Sequence, residues 1–237
     1  EENKLPLSAK TVGGIATFLS KPIWNKEKIN YTPYLDLEFK GNFEVDDLTY
    51  KDKIFEKAKF GLELNKGNLN LSNFEASYKN TPVKANVVLN MKDDPKVNMS
   101  IEVPEANIAD FSIGGRIYNL KDGRFKTSIN LNSKASSEDE FVNNLNGNID
   151  FETVKTRFFG INLKAIYDDI VKRDKSEGLT EFANLQIASG STEFDKIAGK
   201  LGITNGDFKI LESNLNIDNT KIAVKGDGSI KNWTMKF

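Results

Sequence analysis

Three pairs of neighbouring carboxylates, Asp46-Asp47, Asp93-Asp94 and Asp168-Asp169, come nearest in type and spacing to catalytic machinery. A glycosidase needs two carboxyl groups facing one another across a sugar. Sequence neighbours on a strand point to opposite faces, so each doublet reads as turn or solvated surface, in keeping with the turn chemistry of Asp. Other chemistries are excluded more firmly. The 237 residues include no His and no Cys, which removes the usual zinc sites, thiol nucleophiles and every relay built on imidazole. Ser-x-x-Lys, Gly-x-Ser-x-Gly and the two glycine-rich phosphate motifs are absent as well. Gly226-Asp227-Gly228-Ser229 has the outline of a calcium turn without its spaced acidic ligands, and reads as a hairpin. The expectation is a protein that is not an enzyme and holds no metal or cofactor.

Charge narrows the partners. Lys plus Arg number 33 against 34 Asp plus Glu, a net charge of −1, without the basic surplus of a nucleic-acid binder. Only Arg116, Arg124, Arg157 and Arg173 are arginines. Absence of Cys fits an exported chain that folds without disulfides. No run of about 18 apolar residues exists to span a bilayer, Val12 to Leu19 being too short and carrying two glycines. The chain begins Glu1-Glu2-Asn3, so no signal peptide is visible, and a leader removed or an excision from a longer protein is expected.

The elements that position these residues are mainly strands. Apolar and polar residues alternate with period two from end to end. Leu35, Leu37 and Phe39 alternate with charges, Gly41-Asn42 intervenes, and Phe43 and Val45 resume the pattern. Phe60, Leu62 and Leu64 lead into Asn65-Lys66-Gly67-Asn68, a hairpin turn before Leu69 and Leu71. Val83 to Met91 and Val97 to Val103 flank a turn at Asp93-Asp94-Pro95, and further strands carry Phe125 to Leu131 and Leu145 to Phe151. Leu215 with Ile217 and Ile222 with Val224 close the series. This predicts a mainly β, antiparallel, curled sheet. Period 3.6 surfaces at Leu163, Ile166, Tyr167, Ile170 and Val171, one apolar helix stripe, with Asn162 as its N-cap. Glu138 to Leu145 and Phe194 to Leu201 read as short helices, and Lys172 to Glu177 as a charged loop. The stretch Lys66 to Met91 resembles Asn205 to Ile230 in pattern, as two related β-meanders would.

One face of these strands is uniformly Leu, Ile, Val and Phe. Two readings follow: the buried core of a closed sandwich, or an open trough whose apolar lining receives acyl chains. Periodicity does not choose between them.

A set of short motifs in fixed order carries a family resemblance. Leu145-Asn146-Gly147-Asn148-Ile149-Asp150-Phe151 is followed by Gly160-Ile161-Asn162-Leu163 and Ser191-Thr192-Glu193-Phe194-Asp195. Thr204-Asn205-Gly206, Leu215-Asn216-Ile217 and Val224-Lys225-Gly226-Asp227-Gly228 complete it, with Trp24 before Leu35-Asp36-Leu37 and Leu64-Asn65-Lys66-Gly67-Asn68-Leu69 upstream. Together they resemble the C-terminal conserved region of the AsmA family, from about Trp24 to Phe237. The resemblance divides the chain into an extension or linker at 1–23 and a β-rich domain at 24–237, the latter readable as two meander halves at about 24–135 and 136–237.

The resemblance implies an envelope protein of diderm bacteria, anchored in the inner membrane by a segment absent from this chain, with a periplasmic β-rich body. It implies phospholipid transport toward the outer membrane, or a scaffold role in outer-membrane protein assembly. Phospholipid acyl chains are the expected partners, with outer-membrane or envelope proteins second and nucleic acid excluded. The lining would then be Leu35, Leu37, Phe39, Leu62, Leu64, Val87, Leu89, Ile101, Val103, Ile129, Leu131, Ile149 and Phe151. The helix from Leu163 to Val171 would cap the sheet or join its lining.

Overall fold

The computed structural model describes residues 9–12, 15–18, 23–50, 53–111, 113–114, 119–172, 187–218 and 220–236. The alternating stretches form long strands: β1 (Ala9–Val12), β2 (Ile15–Phe18), β3 (Glu38–Tyr50), β4 (Lys53–Asn65), β5 (Asn68–Tyr78), β6 (Thr81–Asn90) and β7 (Lys96–Asn107). Short strands β8 (Ile113–Gly114) and β9 (Asn119–Lys121) precede β10 (Arg124–Lys134), helix α1 (Glu138–Asn143), β11 (Asn146–Ile161) and helix α2 (Leu163–Lys172). The chain then runs through β12 (Ile187–Thr204), β13 (Asp207–Ile217), β14 (Thr220–Ile222), β15 (Asp227–Ser229) and β16 (Thr234–Lys236). All belong to one antiparallel sheet of 16 strands, ordered β1-β2-β16-β15-β13-β12-β11-β10-β7-β6-β5-β4-β3, with β8, β9 and β14 added at its sides. The sheet is not closed, β1 and β3 standing at its two ends. The mainly β, antiparallel expectation therefore holds.

Turn chemistry connects the strands where the sequence placed it. Lys66 and Gly67 both take positive φ (46° and 78°), as do Asn205 and Gly206 (48° and 73°), the backbone of a tight hairpin. Asp93 takes φ 45° in the turn before Pro95. Residues 1–23, expected as an extension or linker, contribute β1 and β2, and β2 pairs with β16. From there the chain crosses to the far edge of the sheet along one row of strand ends. Ile29 N–H donates to the Ser136 carbonyl (2.8 Å), the Tyr31 hydroxyl to that of Ala135 (2.6 Å), and Lys66 N–H to that of Leu37 (3.1 Å).

Both helices carry side-chain caps. Ser137 Oγ accepts from the Glu140 N–H (3.1 Å) at the start of α1, and Asn162 Oδ1 accepts from the Ala165 N–H (3.0 Å) at the start of α2, satisfying donors that the first turn leaves free. Thr192 Oγ fastens α2 to β12, accepting from Leu163 N–H (2.9 Å) and donating to the Ile161 carbonyl (2.7 Å). The side chains of Tyr167, Ile170 and Val171, and residues 173–186 of the expected loop, lie outside the described residues.

Four local readings are corrected. Phe194 to Leu201 is strand, inside β12. Phe194 and Ile197 oppose Thr156 and Thr153, both buried, on either side of Lys155. Lys155 takes φ 52° while the pairing register runs on unshifted, and this local break in the alternation leaves Thr153 and Thr156, three apart, both buried; the result mimics a helical spacing. Leu35 and Leu37 precede β3, because Pro33 starts a 3-10 turn at Thr32–Tyr34 that closes on Leu35. Gly41-Asn42 does not interrupt its strand but lies within β3. Gly226 to Ser229 is not a hairpin turn, since β15 begins at Asp227. A Cβ at Gly226 or Gly228 would stand 2.3 Å from the carbonyl oxygen of Lys236 or Thr234, so these glycines allow close strand approach.

Candidate functional site

Cross-strand register turns the alternating residues into continuous rows on one face. One row runs Gly41, Leu62, Leu71, Val87, Met99, Leu131, Gly147, Ile203, Phe208, Gly228 and Met235, strand by strand from β3 to β16. A second runs Phe74, Ala85, Ile101, Ile129, Ile149, Leu201 and Ile210. At about 4.8 Å per strand the first row extends for roughly 50 Å, across the strand direction.

Burial along these rows is uneven, and the unevenness defines the site. Buried apolar residues form two bands across the strands, and Phe194, midway along β12, is buried as well. At one end Val142 of α1 and Leu145 just after it are buried, as are Val97 and Ile203, and Ser133 Oγ ties β10 to α1 by donating to the Phe141 carbonyl (2.6 Å). At the other, Ile108 (0% exposed), the first residue of a 3-10 turn at Ile108–Asp110, is buried, as are Ala58, Ala76, Val103 and Ala106 on β4, β5 and β7. Between them Leu62, Leu71, Val87, Met99, Ile101, Ile129, Leu131, Ile149, Leu201 and Ile210 are only half-buried. No second layer among the described residues covers this strip.

Aromatic rings lengthen the strip toward β3. Phe39–Phe43 (5.7 Å), Phe43–Phe60 (5.2 Å), Phe60–Phe74 (6.0 Å) and Phe55–Phe74 (6.3 Å) lie within stacking or edge distance. Phe55–Tyr78 (5.5 Å), Tyr78–Phe111 (5.6 Å) and Phe111–Phe125 (5.2 Å) carry the chain of rings to β10. Phe111 thus bridges β5 and β10 over the ends of the strands between them.

Of the residues expected to line the site, Leu62, Leu64, Val87, Leu89, Ile101, Ile129, Leu131, Ile149 and Phe151 are half-buried and Val103 is buried. Phe39 is 47% exposed on the last strand; Leu37 is half exposed and Leu35 half-buried, both before it. Leu163 and Ile166 of the helix stripe are half-buried. The sequence reading left out Leu71 and Met99, which lay in its alternating runs, and Leu201, which it assigned to a helix. Phe43 and Phe60 also lie in the alternating runs without being assigned to the lining, whereas Ile210 and Phe74 join the rows through register.

The opposite face is a lattice of opposite charges. Lys40–Glu63 (2.8 Å), Lys84–Glu75 (3.0 Å), Lys126–Glu152 (3.3 Å), Lys196–Glu152 (2.6 Å) and Lys200–Asp150 (3.5 Å) pair across strands. The Lys196 ammonium bonded to Glu152, with Lys126 beside it, holds that carboxyl below the usual range. A hollow of about 580 Å³ on this face is bordered by three lysines, Lys126, Lys196 and Lys200, and four carboxylates, Glu102, Asp150, Glu152 and Glu212, so no anion is favoured. The carboxylate doublets stay apart from one another: Asp46-Asp47 exposed on β3, Asp93-Asp94 in a turn and Asp168-Asp169 on α2. Among the described residues no group of three or more metal-ligating side chains occurs, and no helix is long and apolar enough to cross a membrane.

A family model described as the AsmA family matches residues 19–212. No curated protein and no solved structure matches.

Proposed function

The chain belongs to the AsmA family, whose members are envelope-associated, and from that premise we propose that its half-buried apolar strip holds phospholipid acyl chains. In this reading the chain is a periplasmic lipid-binding and lipid-transfer domain of an inner-membrane-anchored protein, serving phospholipid transport between the two membranes. The observation that carries it is the uncovered strip between two buried rims, roughly 50 Å long by strand spacing. A closed core would bury the central Leu, Ile and Val residues at least as deeply as the ends, and the reverse is found. Acyl chains lying across the strands would remove this surface from water, at about 0.8 kcal/mol per buried methylene. No bond is made or broken, so the role needs no catalyst.

Native mass spectrometry of the gently purified chain, with extraction and analysis of co-purified lipid, tests the proposal. Bound phospholipid is the expected result. A mass without lipid, unchanged after incubation with phospholipid vesicles, overturns it. A scaffold for outer-membrane protein assembly is the second reading, favoured by the edge strand β3; crosslinking to a nascent outer-membrane protein instead of lipid would support it.

A further inference from the structure

Strand β3 stands at one end of the sheet. Lys66 N–H donates to the Leu37 carbonyl, and the register continues 38↔65, 39↔64, 40↔63. Bonded and non-bonded pairs alternate in an antiparallel ladder, so Phe39, Gly41 and Phe43 direct their peptide groups to β4, while Glu38, Lys40, Asn42 and Glu44 direct theirs outward. Among the described residues nothing pairs with this side of β3. The edge carries charges of both signs but no proline to break it. It runs 13 residues, and Phe39 and Phe43 carry the apolar strip to the last strand.

The side chains around Asn42 are complementary to themselves. A second β3 turned half a revolution about Asn42 puts Lys40 opposite Glu44 of the copy, and Glu44 opposite its Lys40. On the apolar face Gly41 meets Phe43 of the copy, and Phe39 meets Val45. The one like-charged pair, Glu38 with Asp46, is offset by Lys66, 3.2 Å from Glu38. Lys40 and Glu44 are 78% and 73% exposed, free to share their present partners Glu63 and Lys59. The other end of the sheet, β1, offers only 4 residues. We propose that two copies of this chain join antiparallel through β3, with Asn42 on the two-fold axis, so that the two apolar strips run on as one.

Sedimentation velocity of the whole chain over a concentration series tests this, with circular dichroism reporting the fold. A reversible dimer is expected. Asn42→Pro should leave it monomeric with strand content unchanged, because the Asn42 N–H makes no bond to β4 and an edge strand tolerates proline there. Lys40→Glu and Glu44→Lys should each weaken the dimer roughly tenfold, placing two like-charged pairs in each interface, and the double exchange should restore it. The sequence has no Cys, so Asn42→Cys supplies a single reporter. Opposed residues of a bonded pair stand about 5.5 Å apart at Cα, within disulfide range; mild oxidation should give a covalent dimer, and Asn214→Cys should not.

A monomer at every concentration, a dimer that survives Asn42→Pro, or a double exchange no better than the single changes overturns the proposal. Capture of a different protein by Asn42→Cys in place of a second copy also overturns it, assigning the edge to another chain. Lipid bound per chain in Asn42→Pro reports on lipid holding alone, so the two readings fail separately.

Discussion

The Phe151 ring occupies the space that a side chain on Gly199 would need: a Cβ built there would stand 2.7 Å from one ring carbon and 2.8 Å from the next. The two residues are directly opposed on β11 and β12. Phe208 and Gly228 repeat the relationship at 2.5 Å, and Gly41 is met at 3.1 Å by the ring of Phe43. Aromatic side chains thus cover glycines along the apolar rows, an arrangement known to strengthen sheets.

Gly199→Val should therefore displace Phe151 and destabilise the domain by roughly 1–3 kcal/mol, the range for overpacking. Urea unfolding measures it. An unchanged midpoint would mean that the ring can leave Gly199 at no cost.

Val87→Asp and Leu89→Asp place a charge on the half-buried strip, where water can still reach it. Both should abolish lipid retention while circular dichroism stays that of the folded chain. Ile108→Asp, at a fully buried rim position, should unfold it, because an unpaired charge in a dry site is far more costly. If all three unfold the chain, the strip is an ordinary core.

Removing the Thr192 hydroxyl should loosen α2. Thr192→Val leaves the Leu163 N–H and the Ile161 carbonyl without their partner, and unmade buried hydrogen bonds cost about 1–3 kcal/mol. Amide exchange in the first turn of α2 should accelerate more than in β10. Uniform acceleration through the sheet would show that Thr192 holds the whole fold and not the helix.

Acid should destabilise the fold through three carboxylates. Glu152 is held low by its bond from Lys196, Asp94 by its bond from Lys134, and Asp207 by bonds from the Ser229 hydroxyl and Lys231. A lowered folded pKa contributes stability above the unfolded value and loses it as pH falls through the folded one. The loss should begin below about pH 4, near the ordinary carboxylate range. With no His or Cys in the sequence, stability should be level from about pH 5 to 8. Glu152→Gln should flatten the acid limb; a limb of the same steepness would mean that its lysine bonds add no stability.

Much of the fold was legible because the period of a strand is local. Alternation marked the strands, paired positive-φ positions at Lys66-Gly67 and Asn205-Gly206 were signalled by Gly in polar turns, and the Leu163 stripe with Asn162 before it marked α2. The failures have local causes that side-chain type does not report: the positive φ of Lys155 breaks the alternation around it, a 3-10 turn at Thr32–Tyr34 delays the start of β3, and close strand approach fixes the glycines at Gly226 and Gly228. At the two Gly turns the backbone bonds alike: Met91 N–H donates to the Gly67 carbonyl (2.8 Å) as Ile230 N–H does to that of Gly206 (2.9 Å).

By itself the sequence determined which side of each strand is dry, since that depends on side-chain type at alternate positions, and it withheld the imidazoles and thiols that most catalysis uses. Whether the dry side is a core or a surface was decided only by tertiary structure. One sheet takes up the whole strand series, Val142 of α1 and Ile108 of the 3-10 turn are buried toward the strand ends, and the residues between are left half-buried. Covering depends on contacts between residues far apart in the chain, such as Tyr31 with Ala135 and Phe111 with Tyr78, and such contacts leave no periodic trace.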